Sequence, residues 1–429
     1  MIALALAAGL FAQAPRLLTL PDALKTAREH QPQLRQARAG TQAARARADE
    51  ARAPLLPQLN ATAGYQRSTA NAIPRPGFTT GTGGAGAGHS PWDTYSFYSG
   101  AITLNQLLWD FGQSLDRFRA AQVQTDASGE SERAIALQIA ATVRAAYFDA
   151  RAGKALSAVA NETLRNLQRH LEQIQAFVEA GTRPPIDLAQ ARTELANGQL
   201  QLITAQNAFE TAKAQLNQAM GVLQDTDYDV ADEPVSPVAG EDGALEPLVD
   251  RALQARPEIA GLRDQVRAQE LTKSAIRGAY YPAIGASAGT TQGGTALTSL
   301  GWNVALGVNL TWQIFQGGLT TAQVHEAEAN EGSLLAQLDA IRLQAGFEVS
   351  QARLAVRAAK SSLSAVNDAQ VNARERLRLA EGRYETGAGS AIELGDAQVA
   401  LSNAQAQLVQ ADYRLATARA QLQRALGQD

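Results

Sequence analysis

Two periods run through this chain. Over most of it, apolar residues recur every three to four positions, as on a helix with one buried face. In a few short stretches they alternate instead, as on a strand. The clearest alternation is "GWNVALGVNLTWQIFQGG" (301–318), where Trp302, Val304, Leu306, Val308, Leu310, Trp312 and Ile314 interleave with Asn303, Ala305, Gly307, Asn309, Thr311 and Gln313. One face of that strand is apolar and the other is small or polar. Four strands are expected in all, at about 57–69, 94–108, 282–291 and 300–314.

Between the strands, the pattern predicts long helices. Residues 114–180 contain no proline, enough for a helix of about 100 Å at about 1.5 Å per residue. After "AGTRPPIDL" a shorter helix runs from 186 to 220, and an opening helix is expected over 21–53. Residues 320–386 and 391–426 repeat the long-then-short order. The short helices carry a heptad: Leu188, Leu195, Leu202, Phe209 and Leu216, with Ala191, Gly198, Ala205, Ala212 and Ala219 three further on. The second helix has Leu394, Leu401, Leu408, Leu415 and Leu422 with alanine at 397, 404, 411, 418 and 425. A leucine/small seam of this kind lets helix backbones approach closely in a coiled coil.

The chain is written twice. Pro32 aligns with Pro257 and Pro57 with Pro282 at an offset of 225, whereas Leu104 with Leu310, Gly112 with Gly318, Gly181 with Gly387 and Gly221 with Gly427 align at 206. The 19-residue difference falls in one loop, the glycine-rich 67–93 of the first copy. The repeats therefore span 19–221 and 248–427. Between them, residues 222–247 read as an acidic, proline-rich linker wrapped outside the helices, its charges a solvated surface.

Composition narrows the class. Thirty-eight basic and 42 acidic side chains leave a net charge of −4, which favours neither nucleic acid nor an anionic surface as partner. There is no cysteine, so disulfides, thiolate metal sites and lipid-bearing cysteines are absent. No run of 18 apolar residues exists to form a membrane-spanning helix. The start, "MIALALAAGLFAQAP", reads as the later part of a secretory signal over 1–14, with Ala12-Gln13-Ala14 as the cleavage pattern. It lacks a basic beginning, which leaves the true start open.

Strands of 10 to 15 residues, apolar on one side and wet on the other, suit a tilted bilayer crossing of about 9–11 residues. Trp302 and Trp312 would then mark the two membrane interfaces. The alternative is a soluble sheet packed on the helices, but the helical seams already bury their own apolar residues. In lipid a sheet must close. Two chains give eight strands, a barrel filled by its side chains; three give twelve and leave room for water. A homotrimer is the smallest open assembly, and four chains meet the same condition.

The duplicated helix–strand–strand–helix plan resembles the outer-membrane efflux protein family of the TolC type, as do "LLPQL", "LTWQIFQGG" and "YETGAGSAIELGDAQVAL". The resemblance covers about 19–427. It implies a mainly α chain contributing four strands to a trimeric twelve-stranded barrel in the outer membrane, above a coiled-coil helical barrel in the periplasm. It implies a passive exit duct of a tripartite efflux or type I secretion system, with a periplasmic adaptor and an inner-membrane pump as partners. Many members carry a lipid on an N-terminal cysteine, and this sequence has none, a departure that weakens assignment to the lipidated drug- and metal-efflux branches.

Asp187, Glu393 and Asp396 stand in the first turn of the short helices. Carboxylates there are favoured by the helix dipole alone, by about 0.3–1 kcal/mol. Repeated around a closed tunnel end, they would instead form cation-selecting rings, and the resemblance places a gate at Glu393 and Asp396. The turns before them, Gly181-Thr182-Arg183 and Gly387-Ala388-Gly389, need glycine to reverse the chain. By resemblance, these turns also meet the adaptor.

Other motifs carry no chemistry. "GTGGAGAGHS" (81–90) lacks the lysine of a phosphate loop and reads as an extracellular loop. His30, His89, His170 and His325 show no ligand spacing, so no metal or cofactor is expected. The basic run 35–52 reads as a solvated helix face rather than a nucleic-acid site, and no nucleophile pairs with a base, so no enzyme is expected. A stand-alone porin would not need helices of this length. A periplasmic structural coiled coil or adaptor would lack the strands.

Overall fold

The computed structural model describes residues 16–69, 94–223, 228–233 and 236–428. The signal segment, His89 and all of the glycine-rich loop beyond Thr69 lie outside them. Elements follow in the order β1 (Arg16–Leu18), α1 (Leu20–His30), α2 (Pro32–Arg52), β2 (Gln58–Thr69), β3 (Thr94–Trp109), α3 (Gln113–Glu179) and α4 (Pro185–Met220). The second half continues with β4 (Tyr228–Val230), α5 (Glu246–Ala255), α6 (Pro257–Gly278), β5 (Ala283–Gly294), β6 (Gly301–Thr311), α7 (Leu319–Glu385) and α8 (Ala391–Ala425).

The chain forms two compact units: one of residues 1–39, 129–260 and 339–429, the other of 40–128 and 261–338. The second unit holds the four-stranded sheet in the order β2-β3-β5-β6, antiparallel throughout. Its helical segments meet through small residues, with Ala44, Ala48, Ala120, Ala127, Ala268, Ala275 and Ala327 buried. Strand β6 ends at Thr311, three residues short of the alternation read from the sequence.

The first unit is held by three apolar clusters. In one, Leu216 of α4 packs with Val143 and Tyr147 of α3, Ala23 and Ala27 of α1 and Val230 of β4. In another, Leu422 of α8 packs with Val349 and Val356 of α7, Leu248 and Ala252 of α5 and Val238. Leu216 and Leu422 are both fully buried, each contributing about 1.5–3 kcal/mol relative to exposure. Along the heptads the small residues are the more deeply buried: all five α8 alanines are buried, whereas Leu401 and Leu408 remain half-exposed.

The opening helix expected over 21–53 is two helices. Gln31 is extended (φ −64°, ψ 119°) because the proline after it disfavours helical backbone. Arg256, before Pro257, repeats this break (φ −72°, ψ 122°). Each break then caps a short helix. Gln31 Nε2 donates to the Ala219 carbonyl at 2.8 Å, and Arg256 Nε donates to that of Ala425 at 2.7 Å. These are last-turn carbonyls with no partner inside their own helix. Gly221 sits against Gln31, where a Cβ would lie 2.8 Å from its Cα, and its φ of +76° also requires glycine.

The linker departs most from its sequence reading. Its β4 pairs in parallel with β1, and Tyr147 Oη donates to Ala231 O at 2.9 Å and Leu18 O at 3.4 Å. Glu241 is not solvated: it is 3 % exposed and gripped by Arg419 through two hydrogen bonds of 2.9 and 3.1 Å. Lys360 lies 2.7 Å from the same carboxylate, and the Val238 amide donates to it at 2.9 Å. Burial pushes this carboxyl up, but these donors outweigh it and hold it down at about 2.

Candidate functional site

Two regions carry the candidate residues, one in each unit. In the sheet, register fixes which residues share a face, because directly paired residues point the same way. Leu306 pairs with Ala288, Ala288 with Leu104, and Leu104 with Leu59; Val304, Thr290, Ile102 and Ala61 form the next row. This face is open: Trp302 is 76 % exposed and Leu306 80 %. The other face carries Asn60, Thr62, Thr103, Asn105, Ser287, Asn303 and Asn309. The outer strands β2 and β6 each pair on one side only within the chain.

The repeat offset assigns Leu108 to the apolar face, but a bulge between Leu107 and Trp109 shifts the register and sets Trp109 opposite Ile284. Trp312 lies just past β6 and donates its indole N–H to Tyr280 O at 3.1 Å. At the same end of the sheet is an aromatic group the sequence reading missed. Trp109 meets Phe111 edge-on at 6.0 Å, and Phe111 stacks on Tyr281 at 4.8 Å. The signal was there as "LLWDFG", the strand-to-helix corner of the first copy, and "AYYPA", the helix-to-strand corner of the second, each rich in aromatics.

The second region is the pair of helix turns in the first unit. Gly181 (φ +71°) ends α3, with Thr182 N and Oγ1 both donating to Phe177 O at 3.0 and 2.8 Å. Gly387 (φ +78°) ends α7, and the Ser390 hydroxyl accepts from the Glu393 amide at 3.1 Å to cap α8. Gly181, Thr182, Gly387 and Ala388 are exposed; Gly389 is buried against Tyr384 and Arg383.

Arg183 joins the two turns. Its Nη2 donates to Tyr384 O at 3.1 Å and Gly389 O at 3.5 Å, while its guanidinium lies 4.4 Å from the Tyr384 ring centre. Those carbonyls close the C-terminal end of α7, where a cation is favoured. Of the three predicted acids, Glu393 pairs with Arg383 at 3.5 Å, Asp187 is half-buried and Asp396 is exposed. Asp396 stands one turn beyond Glu393 along α8, in its second turn rather than its first. Tyr384 and His170, both 4 % exposed, form the centre beneath the turns, and the sequence reading did not single them out for this role. Among the described residues no cluster of three His, Asp or Glu could hold a metal, and no helix is long and apolar enough to cross a membrane.

The sequence profile described as "Outer membrane efflux protein" matches residues 23–222 and 248–428. Similar proteins include the outer membrane protein TolC of Escherichia coli, 25 % identical over 428 residues, covering 95 % of this chain and 82 % of TolC. The toluene efflux pump outer membrane protein TtgF of Pseudomonas putida is 28 % identical over 418 residues, covering 95 % and 82 %. Protein CyaE of Bordetella pertussis is 28 % identical over 385 residues, covering 89 % and 78 %. Among solved structures, the outer membrane protein VceC of Vibrio cholerae superposes with a TM-score of 0.80 at 20 % identity, covering 95 % of this chain and 96 % of its own. The fold is that of the TolC-type channels, a helical barrel joined to a β-barrel. With both halves matched and the element order shared over nearly its whole length, the chain belongs to the outer membrane efflux protein family, whose members are passive outer-membrane channels and not enzymes.

Proposed function

We propose that three copies of this chain form the exit duct of a tripartite efflux or type I secretion system, opened at its helix turns. The repeats are 19–221 and 248–427, joined by 222–247, and each copy gives four strands to a closed barrel. Closure satisfies the free edges of β2 and β6, which in lipid would leave each unpaired group at a cost of several kcal/mol. Trp302 and Trp312 lie at the two membrane interfaces, the helices stand in the periplasm, and no cofactor takes part.

The observation that carries the tripartite reading is the Arg183 bridge. It makes one surface of two turns from different repeats and presents exposed Thr182 and Ala388 together. A docking periplasmic adaptor, itself seated on an inner-membrane pump, would use such a composite surface; a stand-alone porin has no need of it. Because the chain lacks cysteine, a photocrosslinker attached at Thr182→Cys or Ala388→Cys reports only that site. Capture of a periplasmic adaptor is expected, and capture of none rejects the tripartite reading.

Asp187, Glu393 and Asp396 form the gate, their charge concentrated by threefold repetition. Glu393→Gln with Asp396→Asn is expected to lower the cation selectivity of the reconstituted channel. Unchanged selectivity leaves only the helix-terminus role for these acids.

A further inference from the structure

Beneath the turns, α3, α4, α7 and α8 meet in an apolar core of Ile174, Ala191, Ala380, Tyr384, Ala391, Leu394 and Ala397. One base is shut inside it. His170 of α3 is 4 % exposed, and its ring lies edge-on to Tyr384 at 5.8 Å between centres. The Tyr384 hydroxyl is itself buried without a hydrogen-bond partner. The same tyrosine ring carries the Arg183 guanidinium, 4.4 Å from its centre.

On α3 itself the neighbouring charges are Arg169 and Glu172, both exposed. The turn brings Arg183, and α4 brings Asp187, which acts on Tyr384. Helix α7 brings Glu381 and Arg383, both exposed, and α8 brings Glu393, tied to Arg383, and Asp396, also exposed. None of them offsets a charge on the imidazole, since burial is the single influence on His170 and lowers its pKa. The neutral ring suits this core; the imidazolium does not.

We propose that His170 is a proton-operated wedge: on protonation it sets a second cation against the ring that already holds Arg183, and so loosens the junction between the two turns. The sign follows from the burial of a base. The junction keeps its full stability above the ordinary imidazole range and loses it as pH falls through that range. The wedge itself depends only on the packing described above; its consequence for flow rests on the turns being the gate.

The test uses the assembled channel with single cysteines, unique in this chain. Ala391→Cys reports the core, where Ala391 is 7 % exposed, and Thr182→Cys serves as an exposed reference. Taking the ratio of their thiol labelling removes the pH dependence of the labelling chemistry. Between about pH 7.5 and about pH 5.5 the ratio is expected to rise several-fold, and His170→Phe, which keeps a ring but cannot titrate, is expected to abolish the rise. If His170→Phe fails to assemble, His170→Gln makes the same comparison. No rise in the parent chain, or a rise retained in the variants, overturns the wedge. Conductance read alongside separates the two ideas: a labelling rise without altered conductance upholds the wedge and rejects the turns as the gate.

Discussion

Glu241 offers the sharpest quantitative test of how the linker is held. Its carboxyl falls from an ordinary 4.5 to about 2, because hydrogen bonds from Arg419, Lys360 and the Val238 amide outweigh the burial that opposes them. At about 1.36 kcal/mol per unit, this corresponds to about 3 kcal/mol of stabilisation. The depressed value sets the pH window: the contribution is complete above 4.5 and disappears as pH falls toward about 2. Glu241→Gln keeps an oxygen for the Val238 amide but removes the charge that pairs with Arg419, whose side chain is 11 % exposed.

The assay is amide hydrogen exchange within the linker, at Glu241 N, bonded to Val238 O, and Gly243 N, bonded to Gly240 O. A loss of about 3 kcal/mol raises the locally open population by about two powers of ten, and exchange there should quicken by that factor. Lowering the pH from 4.5 toward 3 should reproduce part of this change in the parent chain and add nothing in Glu241→Gln, after correction for intrinsic exchange rates. Rates in the variant within about twofold of the parent would show that the linker is held by its apolar contacts, and that the ion cluster adds nothing net.

Two further outcomes follow from the repeat and the sheet. Arg256→Met removes both the Ala425 cap and the 2.7 Å pair with Glu348, so it should cost about 3 kcal/mol, whereas Gln31→Met removes a neutral cap worth about 1 kcal/mol; equal shifts in denaturation midpoint would deny that the second copy's cap acts through charge. Leu306→Arg should lower stability in bilayers by about 2–4 kcal/mol while Ala305→Arg, on the opposite face, is tolerated, and equal losses would reject the assignment of faces.

What the sequence discloses is what repeats at short range. The Leu/Ala heptads, the alternation of β6 and the glycines at 181 and 387 are each local patterns, and each marks its element. Pro32 and Pro257 were just as visible, yet they read as repeat markers although their neighbours break two helices. The bulge at Leu108 is invisible because nothing in the alternation records an inserted residue. The Arg183 contact to Tyr384 joins positions 201 apart and follows no period. Glu241 was misread because an acid among prolines looks solvated, and only the fold brings Arg419 to it from 178 residues away.

The duplicated contacts show how far the copies have diverged. Tyr147 donates to Leu18 O in the first copy, and at the matching places Arg353 donates to Gly243 O in the second. Gln31 and Arg256 likewise reach the Ala219 and Ala425 carbonyls, and Lys154 and Lys360 each grip linker acids. Geometry is kept while chemistry changes, and at two of three positions a neutral donor in the first copy becomes arginine in the second. Burial holds the Tyr147 hydroxyl up at about 12, so the first copy's contact is indifferent to ordinary pH. Two of the second copy's contacting residues also pair with acids, Lys360 with Glu241 and Arg256 with Glu348, both acids held below the usual carboxylate range against the opposing effect of burial. Among these matched contacts the same geometry therefore answers acid differently: the Tyr147 bond does not respond, whereas the Arg256 contact depends on the Glu348 carboxylate beside it.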